Sequence, residues 1–561
     1  MTFTISKERL AAIAAKYRAS KSPPQESSPV SEAVQVISQE TLQTQRDSEL
    51  LQTTDKHGNL ITYNSKQQEF ITLASSGRSC VLIGAAGTGK TTCQKGATQA
   101  LIQSGKAGVF QGAHKYLQTG SPGIVICAFT RRAAANIAAN LSQELKQNCM
   151  TIHALLEYEP VYYDVQDPTT GEYKKTMRFE PRRNASNPLP ASIKTIIFEE
   201  TSMLGTDLHQ EVIDACPHNP QLIYLGDIQQ LPPVFGPAIL GFKLLELPVI
   251  ELTEVYRQAL ESPIISLAHR CLSGKGIPTA EYPEWNRDGL TIRPFKKRVE
   301  PEMATVGIGN LLCQMSNDNL YDPSSDMILI PFNKAFGTDE LNKILANHIA
   351  RRNGAVTHQI IAGFQKVYLS IGDKILVDKE DAIITKIETN PAYSGAFFLP
   401  ASPTLDYWGY DPKASSHKPD DDDMDFLLSQ VAKQEGQSED RVNQASHIIT
   451  FRKAGSDCEQ KVQSAGDINS ILLGYVLTVH KAQGSEWNKV IFIMHASHAT
   501  MNSRELLYTA ITRAKKELLI LCEPDTMMKG IENPRIKGNT LAEKAIYFQG
   551  KKERMSAERI S

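Results

Sequence analysis

The most distinctive chemistry in this chain belongs to a glycine-rich segment that follows a short apolar run. Residues 81–92 read VLIGAAGTGKTT and fit the phosphate-binding loop, or P-loop, at every position. In such a loop the backbone N–H groups converge on a β-phosphate, a lysine reaches the β- and γ-oxygens, and a threonine hydroxyl holds magnesium. The start of the following helix adds its dipole to the anion site. The pattern predicts a site for a nucleoside triphosphate and Mg²⁺, formed by Gly84, Ala85, Ala86, Gly87, Thr88, Gly89, Lys90, Thr91 and Thr92.

Acidic, amide and guanidinium groups follow the P-loop in an order that suits phosphoryl transfer. An apolar run ends at Glu199 and Glu200, of which one can hold magnesium while the other orients or deprotonates the attacking water. Gln230 follows a further apolar run, where its amide is placed to hydrogen-bond the γ-phosphate. Arg257 and Arg513 come from different halves of the chain, and arginines in such positions neutralise charge on the transferring phosphoryl group. These residues predict hydrolysis of the bound nucleotide.

Apolar strands that alternate with helical patterns would position these side chains. From about residue 55 to 255 the candidate buried strands are Val81–Ile83, Ile124–Phe129, Thr195–Phe198 and Gln221–Leu225. A second alternating region has candidate strands at Met327–Pro331, Val490–Met494 and Leu518–Leu521. This alternation is typical of doubly wound α/β domains, whose ligands bind beyond the carboxyl ends of the strands.

Residues from about 365 to 470 interrupt the second alternating region. Val367–Leu369 and Lys374–Val377 predict short strands of a small β module. Four consecutive aspartates at 420–423 follow, and a charge run of this kind indicates a solvated loop.

Composition narrows the class of protein further. Of the 561 residues 41% are hydrophobic and 22% are charged, as in ordinary globular proteins. No apolar run approaches the roughly 18 residues of a membrane helix and no signal peptide is visible, so we expect no membrane partner and a cytoplasmic location in a bacterial or phage-infected cell. The nine cysteines include no C-x-x-C pair, which argues against a zinc site or a disulfide framework. Because the net charge is only −2, a nucleic acid would have to be bound by a local basic channel.

The first 50 residues are predicted to be a flexible tail. Ser6 is placed to cap a short helix, and a linker rich in Ser, Pro, Gln and Glu follows it. The helix would carry Leu10, Ile13, Ala14 and Tyr17 on one face. This segment is either a frayed terminus or a tethered peptide that docks on a partner protein through its apolar face.

Taken in order, the motifs resemble the RecD/Dda branch of the superfamily 1 helicases, the 5′-to-3′ subfamily called superfamily 1B. The resemblance covers about residues 60–522 and includes the P-loop as motif I. The other matching segments are NSKQ at 64–67 (the Q motif), AFTRRAA at 128–134 (motif Ia), TIHALL at 151–156, EE at 199–200 (motif II), GDIQQLPPV at 226–234 (motif III), YRQ at 256–258 (motif IV), TVHKAQGSEW at 478–487 (motif V) and YTAITRA at 508–514 (motif VI). The resemblance implies that ATP is the nucleotide and that Gln67 and Glu486 contact it.

Two positions depart from the family pattern. Motif II normally begins with aspartate, and Glu199 takes that place. The additional methylene moves the carboxylate outward by about one C–C bond, while Mg²⁺ tolerates little deviation from octahedral geometry. We expect slower hydrolysis, because Glu200, the assigned base, is kept. Motif Ia usually has proline where Phe129 lies, and an aromatic ring there suits stacking on a base.

The resemblance also implies a single-stranded DNA track that both motor domains share. Polar contacts to phosphates would give affinity that does not depend on sequence and that weakens with salt. The predicted DNA contacts are Phe129, Thr130, Arg131, His153, Thr478 and His480.

A β-hairpin is predicted between His153 and motif II. The segments Tyr158–Gln166 and Glu172–Glu180 are rich in Tyr, Val, Thr and Phe and flank the turn sequence DPTTG. The family has a strand-separating pin at this place, and the local excess of Lys and Arg suits contact with a fork. The residues assigned to the pin are Tyr162, Tyr163, Lys174 and Lys175.

The predicted fold is α/β, with two RecA-like doubly wound parallel-sheet motor domains, the hairpin pin and a small SH3-like β insert. The predicted domains are a tail at 1–50, motor domain 1A at 51–255 with the pin at about 158–182, motor domain 2A at 256–364 and 471–530, the insert with its acidic loop at 365–470, and a C-terminal tail at 531–561.

The leading functional prediction is a monomeric ATP-dependent DNA helicase that translocates 5′ to 3′ on single-stranded DNA and unwinds forked duplexes. Two alternatives stay open. One is an RNA helicase of the same superfamily, because motifs that grip the backbone discriminate the two polymers poorly. The other is an ATP-switched DNA-binding accessory subunit that hydrolyses weakly, as Glu199 in motif II would allow.

Overall fold

Two six-stranded sheets organise the chain, as shown by a computed structural model. None of the helices in the described part of the chain is long and apolar enough to span a bilayer. The structure describes residues 60–105, 114–117, 123–166, 173–233, 237–255, 261–276, 285–295, 299–334, 336–363, 365–377, 380–393, 444–453, 458–523, 525–538 and 540–558.

The first sheet, which we call that of lobe 1, is parallel throughout. The strands of this half are β1 (Cys80–Gly84), β2 (Ile124–Ala128), β3 (Cys149–Thr151), β4 (Tyr158–Gln166), β5 (Tyr173–Pro181), β6 (Thr195–Phe198), β7 (Gln221–Gly226) and β8 (Val249–Leu252). The sheet has the order β3-β2-β6-β7-β1-β8. Strands β1, β2 and β6 are buried along their whole length, as expected for parallel strands covered on both faces.

Helices cover this sheet and connect its strands. They are α1 (Ser65–Ser75), α2 (Lys90–Gln103), α3 (Arg131–Ala138), α4 (Gln143–Lys146), α5 (Ile152–Leu155), α6 (Thr206–Asp214) and α7 (Ile239–Glu246). Val81, Val125, Ile196 and Tyr224 belong to one apolar core between the sheet and the helices.

The second sheet, that of lobe 2, is built in the same way. The strands of this half are β9 (Trp285–Arg287), β10 (Leu290–Pro294), β11 (Met327–Ile330), β12 (Thr357–Ala362), β13 (Gln365–Ser370), β14 (Lys374–Val377), β15 (Glu380–Thr389), β16 (Gln444–Lys453), β17 (Glu459–Ser464), β18 (Leu472–Leu473), β19 (Val476–Thr478), β20 (Trp487–Met494) and β21 (Ala514–Cys522). The order in the sheet is β19-β11-β20-β21-β10-β9, parallel except for the β9–β10 pair. The predicted α/β fold with two doubly wound motor lobes is confirmed.

The helices of the second half are α8 (Pro263–Leu272), α9 (Pro301–Asn317), α10 (Thr338–Arg352), α11 (Ala465–Asn469), α12 (Arg504–Ile511), α13 (Thr526–Ile531) and α14 (Leu541–Glu558). Helix α8 packs on α12, and α9 packs on α10.

The β module between α10 and β19 is antiparallel. It combines the β12–β13 hairpin with a five-stranded sheet of order β17-β16-β15-β14-β18. Ile360, Leu369, Ile384 and Phe451 belong to one apolar core shared by both parts. The aspartates at 420–423 lie outside the described residues.

The hairpin β4–β5 projects from lobe 1 between α5 and β6. Its strands pair from Tyr158 with Pro181 to Gln166 with Tyr173, close to the predicted bounds. The turn and the side chains of the four predicted pin residues lie outside the described part of the chain.

An ion pair closes the base of this hairpin. The carboxylate of Glu157 accepts hydrogen bonds from Arg183 Nε at 3.0 Å and Nη2 at 3.1 Å, and from the Lys115 backbone N–H at 2.6 Å. Burial alone would raise the pKa of Glu157, but these hydrogen bonds bring it below its ordinary value. Both strands of the hairpin are therefore anchored where they leave the lobe.

Residues 531–561 are predicted to be a C-terminal tail, yet they contain helix α14. Phe548 of this helix is 3% exposed and packs on Phe242 of α7 with ring centroids 6.2 Å apart. Ile536 and Phe548 both belong to the core of lobe 1. The last described segment thus completes the surface of the first lobe.

Candidate nucleotide site and lobe interface

The P-loop lies at the carboxyl end of β1. Strand β1 ends at Gly84, and α2 begins at Lys90. Gly87 and Gly89 have φ angles of +80° and +87°, a region that residues with a side chain rarely adopt. A Cβ at Gly84 would overlap the Thr88 hydroxyl. The turn between β1 and α2 therefore depends on glycine at these positions, as a loop that cradles phosphate would require.

The Lys90 side chain is folded back over this loop. Its ammonium donates hydrogen bonds to the Gly84 carbonyl at 2.6 Å and to the Ala85 carbonyl at 3.3 Å. Thr91 is exposed, and Thr92 is half-buried in the first turn of α2. A phosphate in the cradle would compete with the two carbonyls for the lysine.

Glu199 and Glu200 follow β6 and face the P-loop. Burial and then the neighbouring Glu200 raise the pKa of Glu199 to about 8, while the Lys90 ammonium and a backbone hydrogen bond oppose that rise. Glu200 has a φ of +51°, a costly conformation for a residue with a side chain. In the described part of the chain, its buried Oε2 atom has no hydrogen-bond partner. Both features are typical of a site prepared for a ligand.

A tyrosine of lobe 2 contacts the P-loop directly. The backbone N–H of Ala86 donates to the hydroxyl of Tyr508, on α12, at 2.7 Å. The same hydroxyl donates to Asp227 Oδ2 of motif III at 2.6 Å. His269 on α8 lies 3.3 Å from the Ala86 carbonyl. The phosphate loop is thus part of the interface between the two lobes.

Motif III is held by the same interface. The N–H of Leu231 donates to Thr509 Oγ1 of α12 at 2.9 Å, and Gln483 Nε2 of motif V donates to the Leu231 carbonyl at 2.8 Å. Gln230, the residue before Leu231, is 5% exposed, and its Oε1 atom has no hydrogen-bond partner among the described residues. The amide that the sequence assigns to γ-phosphate sensing is therefore buried in the interface with one polar atom unsatisfied.

Of the two predicted arginines, the structure describes Arg513 and not Arg257. Arg513 is 4% exposed and donates to the carbonyls of Thr509 and Ser485, each at 3.1 Å. It also interacts electrostatically with Tyr508. Arg257 lies outside the described residues.

The two remaining nucleotide contacts are engaged in local interactions. Gln67 is buried, and its Oε1 accepts from the Asn64 N–H at 3.0 Å, which completes a capping box at the start of α1. Glu486 is exposed and forms an ion pair with Lys515 at 3.2 Å. Their roles toward a nucleotide stay predictions.

Two predicted DNA contacts, Thr130 at the start of α3 and Thr478 at the end of β19, lie near the lobe interface. Thr130 Oγ1 accepts from the Ala133 N–H at 3.1 Å, and Thr478 Oγ1 accepts from the Lys481 N–H at 3.2 Å. A hydroxyl that accepts a hydrogen bond still has its proton to donate, so each is able to bind a phosphate oxygen. Arg131, the first residue of α3, is exposed.

The predicted aromatic and histidine contacts are partly packed. Phe129 lies edge-on to His153 with centroids 5.8 Å apart, and His153 lies edge-on to Tyr158 at 5.0 Å. Burial and then Arg535 lower the pKa of His480.

Contacts beside these residues join lobe 1 to motif V and to the β module. Asn136 Nδ2 donates to the Gly484 carbonyl at 2.8 Å. The Arg132 guanidinium lies over the Trp487 ring, 5.2 Å from its centroid. The same group lies 2.5 Å from Asp381 Oδ1 of β15, as an ion pair that is not aligned as a hydrogen bond. Motif Ia thus contacts two parts of the second half at once.

Comparison with protein families agrees with this arrangement. Residues 67–236 match the AAA domain family, and residues 473–521 match the UvrD-like helicase C-terminal domain. The chain is 28% identical over 443 residues to the ATP-dependent RecD2 DNA helicase of Deinococcus radiodurans, which covers 78% of this chain. It is 30% identical over 210 residues to the ATP-dependent DNA helicase dda of Enterobacteria phage T4, which covers 36% of this chain.

The chain is thus similar to RecD-like members of the superfamily 1 helicases. It spans 46% of the length of the Deinococcus protein and 38% of the phage protein. Among solved structures, the Pif1 helicase of Candida albicans aligns over 88% of this chain and 100% of that chain, at 14% identity and a TM-score of 0.45.

The structure adds residues to the candidate site that sequence patterns did not assign. Tyr508 and Asp227 fall inside motifs VI and III, but nothing in their spacing shows that they bond across the lobes. Arg132 lies in motif Ia, whose sequence pattern gives it no role. Each acts through a contact with a residue more than 200 positions away.

Proposed function

We propose that this chain is an ATP-driven DNA helicase that translocates 5′ to 3′ along single-stranded DNA and unwinds forked duplexes as a monomer. The observation that carries this proposal is the bond from Tyr508 of lobe 2 to the Ala86 N–H of the P-loop. Because that N–H belongs to the phosphate cradle, a bound nucleotide would alter a contact between the lobes. Such coupling is what converts hydrolysis into lobe movement.

The residues around the cradle suit ATP with Mg²⁺. The Thr91 hydroxyl and the Glu199 carboxylate are the groups that would hold the ion. The buried Oε2 atom of Glu200 has no hydrogen-bond partner among the described residues, which suits a place where a cation would offset negative charge. When bound, the ion would neutralise charge on the β- and γ-oxygens.

The protein's own groups would then divide the work of hydrolysis. Lys90 would exchange the carbonyls of Gly84 and Ala85 for phosphate oxygens. Glu200 would orient and deprotonate the attacking water, and Gln230 would bond the γ-phosphate through its amide. Arg513, and by analogy Arg257, would stabilise the transferring charge.

The proposed DNA track runs where motif Ia, motif V and the β module meet. Thr130 at the start of α3 and Thr478 at the end of β19 lie on the two sides of this junction. Backbone contacts of this kind are independent of sequence, as a translocating protein requires. The β4–β5 hairpin is proposed to split the duplex, and residues 1–50, which lie outside the described part, are proposed to bind a partner protein.

Unwinding of tailed duplexes tests the proposal. Equal duplexes with a 5′ or a 3′ single-stranded tail are mixed with protein, ATP and Mg²⁺, and strand release is measured. We expect release from the 5′-tailed duplex. Preference for the 3′ tail would contradict the direction, and release from an RNA duplex in place of DNA would favour the alternative substrate.

Lys90→Ala is the matched control for that assay. Without the ammonium, charge on the β- and γ-phosphates is left uncompensated, so both hydrolysis and unwinding should fall to background. Activity that survives this substitution would rule out the assigned phosphate site.

One observation favours the second candidate, an ATP-switched accessory subunit. With a pKa of about 8, Glu199 carries its proton near neutral pH in the nucleotide-free protein and is poorly prepared to hold a cation. Glu199→Asp restores the family residue and shortens the side chain. A kcat that rises roughly tenfold would identify Glu199 as a brake on a real helicase, whereas background ATPase in both proteins would support the accessory role.

A further inference from the structure

The chain crosses back from lobe 2 to lobe 1 after its last strand. The segment that follows α13 is fixed to α12, because Glu505 accepts hydrogen bonds from the N–H groups of Arg535 at 2.9 Å and Ile536 at 3.0 Å. Beyond Gly538 the chain enters α14, which packs on α7 of lobe 1. The C-terminal segment therefore contacts both lobes.

Helix α14 is docked firmly on lobe 1. The Phe548 ring lies against Gly241, where a Cβ atom would overlap it. Lys552 forms an ion pair with Glu246 at 2.7 Å at the periphery of the contact. These contacts fix the rotation of α14 and hence the direction of its other side chains.

Lys544, in the first turn of α14, points into the nucleotide-site network. Its side chain is 4% exposed, and its ammonium donates to Gln229 Oε1 of motif III. The Gln229 N–H donates to Asp227 Oδ1 at 2.9 Å. Asp227 in turn accepts from Tyr508, whose hydroxyl accepts from the Ala86 N–H of the P-loop. These hydrogen bonds, connected through the side chain and backbone of Gln229 and through the Asp227 carboxylate, join α14 to the phosphate cradle.

The charges around Lys544 fit this position. Burial lowers the pKa of Lys544, and the carboxylates of Glu505, Asp227 and Glu251 oppose the shift. A buried ammonium is costly unless it is paired and hydrogen-bonded. The hydrogen bond to Gln229 and the surrounding carboxylates offset this cost.

We propose that Lys544 is a positioning residue of the nucleotide site, which acts through Gln229, Asp227 and Tyr508 to hold the P-loop in its hydrolytic form. This inference rests on the proposed function, since it concerns the rate of the same ATPase. It extends the site to a helix that lies beyond the last family motif.

Steady-state kinetics of the full chain test the proposal. For Lys544→Met, we expect the kcat of DNA-stimulated ATPase to fall roughly tenfold, with KM for ATP and affinity for a fluorescent ADP analogue changed less than about twofold. Lys544→Arg, which keeps the charge and donors, should recover part of the loss. Lys552→Met is the control on the same helix, because it removes a lysine that binds lobe 1 away from motif III, and should leave kcat unchanged.

A double-mutant cycle separates positioning from simple loss of stability. If Lys544 acts through Gln229, the Lys544→Met and Gln229→Ala double variant should be no slower than the slower single variant. Gln229→Ala also carries the test if Lys544→Met does not fold. A wild-type kcat in Lys544→Met or Gln229→Ala would overturn the inference while leaving the helicase proposal intact. Absence of ATPase from the wild type would instead overturn the proposed function.

Discussion

At the scale of single residues, the hydroxyl of Tyr508 connects the most parts of the candidate site. It accepts from the P-loop and donates to motif III, so one oxygen atom connects the nucleotide cradle, its sensor loop and lobe 2. Buried tyrosine hydroxyls normally have a hydrogen-bond partner, and this one has two, Ala86 and Asp227. Nucleotide binding at Ala86 would therefore compete with, or reinforce, the contact between the lobes.

Tyr508→Phe removes this oxygen and keeps the ring. We expect kcat for DNA-stimulated ATPase to fall roughly tenfold, because Asp227 and the Ala86 N–H lose their shared partner. Tyr475→Phe is the matched control, since the Tyr475 hydroxyl bonds Asp373 at 2.9 Å, away from the P-loop. Equal kcat values in wild type and Tyr508→Phe would show that the bond has no part in coupling.

Glu199 gives a prediction about stability and pH. Its pKa is about 4.5 before folding and about 8 in the folded protein, so the folded state binds more protons and loses stability as pH rises through that window. Glu199→Gln removes the ionisation. In EDTA and without nucleotide, we expect Glu199→Gln to raise the melting temperature by roughly 1–3 °C at pH 9 relative to wild type, and by less at pH 5.

The exposed Glu302→Gln controls for the loss of one carboxylate. A gain from Glu199→Gln that is the same at both pH values would show that Glu199 does not titrate between them.

Much of the candidate site can be predicted from the order of residue types along the sequence, because polar residues that follow the strands of a parallel sheet lie together at its carboxyl edge. Glu199 and Glu200 follow β6 directly, and Gln230 lies in the loop after β7. Gln67 shows the limit of such reasoning. Its position suits a base contact, but the same amide completes the capping box of α1, and sequence spacing is identical for the two uses. Only the packed structure shows which neighbours an amide has.

At the scale of secondary-structure elements, the β4–β5 hairpin is the part with the most separable role. Its strands pair mainly with each other, and Glu157 and Arg183 anchor its base. Loss of one partner of such a buried ion pair typically costs about 3–5 kcal/mol. The hairpin is thus a projecting element on a rigid base.

Replacing residues 160–180 by a short turn removes the projection and keeps Glu157 and Arg183. We expect DNA-stimulated ATPase to stay within about twofold of wild type, because the nucleotide site is elsewhere, while unwinding of forked DNA falls to background. ATP hydrolysis and strand release are measured on the same protein. Loss of both activities together would mean that the hairpin belongs to the motor core.

Elements bounded by turn residues were well predicted, whereas α14 was missed. The apolar runs of β1, β6 and β7 are buried on both faces, so their pattern alone indicates a strand. Residues 541–558 have a mixed apolar and charged pattern, which also suits a solvated tail. Their helix is stabilised by Phe548 on α7 and Lys544 on motif III, contacts that link distant parts of the chain. The local sequence pattern does not predict such contacts.

At the scale of the whole molecule, motif V lies close against α3. Gly484 has a φ of +73°, and a Cβ atom there would lie 2.6 Å from Ala133 Cβ and 3.2 Å from Thr130 Oγ1. Asn136 bonds the carbonyl of the same glycine. The two lobes therefore meet at a point that admits no side chain.

Gly484→Ala should separate the lobes at this point. Backbone strain at positive φ costs about 1–2 kcal/mol, and overlap with Ala133 adds to it. We expect stimulation of ATPase by single-stranded DNA to fall at least roughly fivefold, with a smaller change in the DNA-free rate. Gly354→Ala is the control, because Gly354 has a φ of +63° with open space around its Cβ position. Equal effects of the two substitutions would assign the loss to strain alone.

The packing of Phe548 on Gly241 and Phe242 has a consequence for biosynthesis. About 300 residues separate the two partners, so a ribosome that adds roughly 5–20 residues per second exposes the outer face of α7 for about 15–60 s before its cover emerges. During that interval an otherwise folded first lobe presents apolar surface to the cell. Nascent chains arrested before residue 548 should consequently bind chaperones that recognise such surface, and release from the ribosome should end the association.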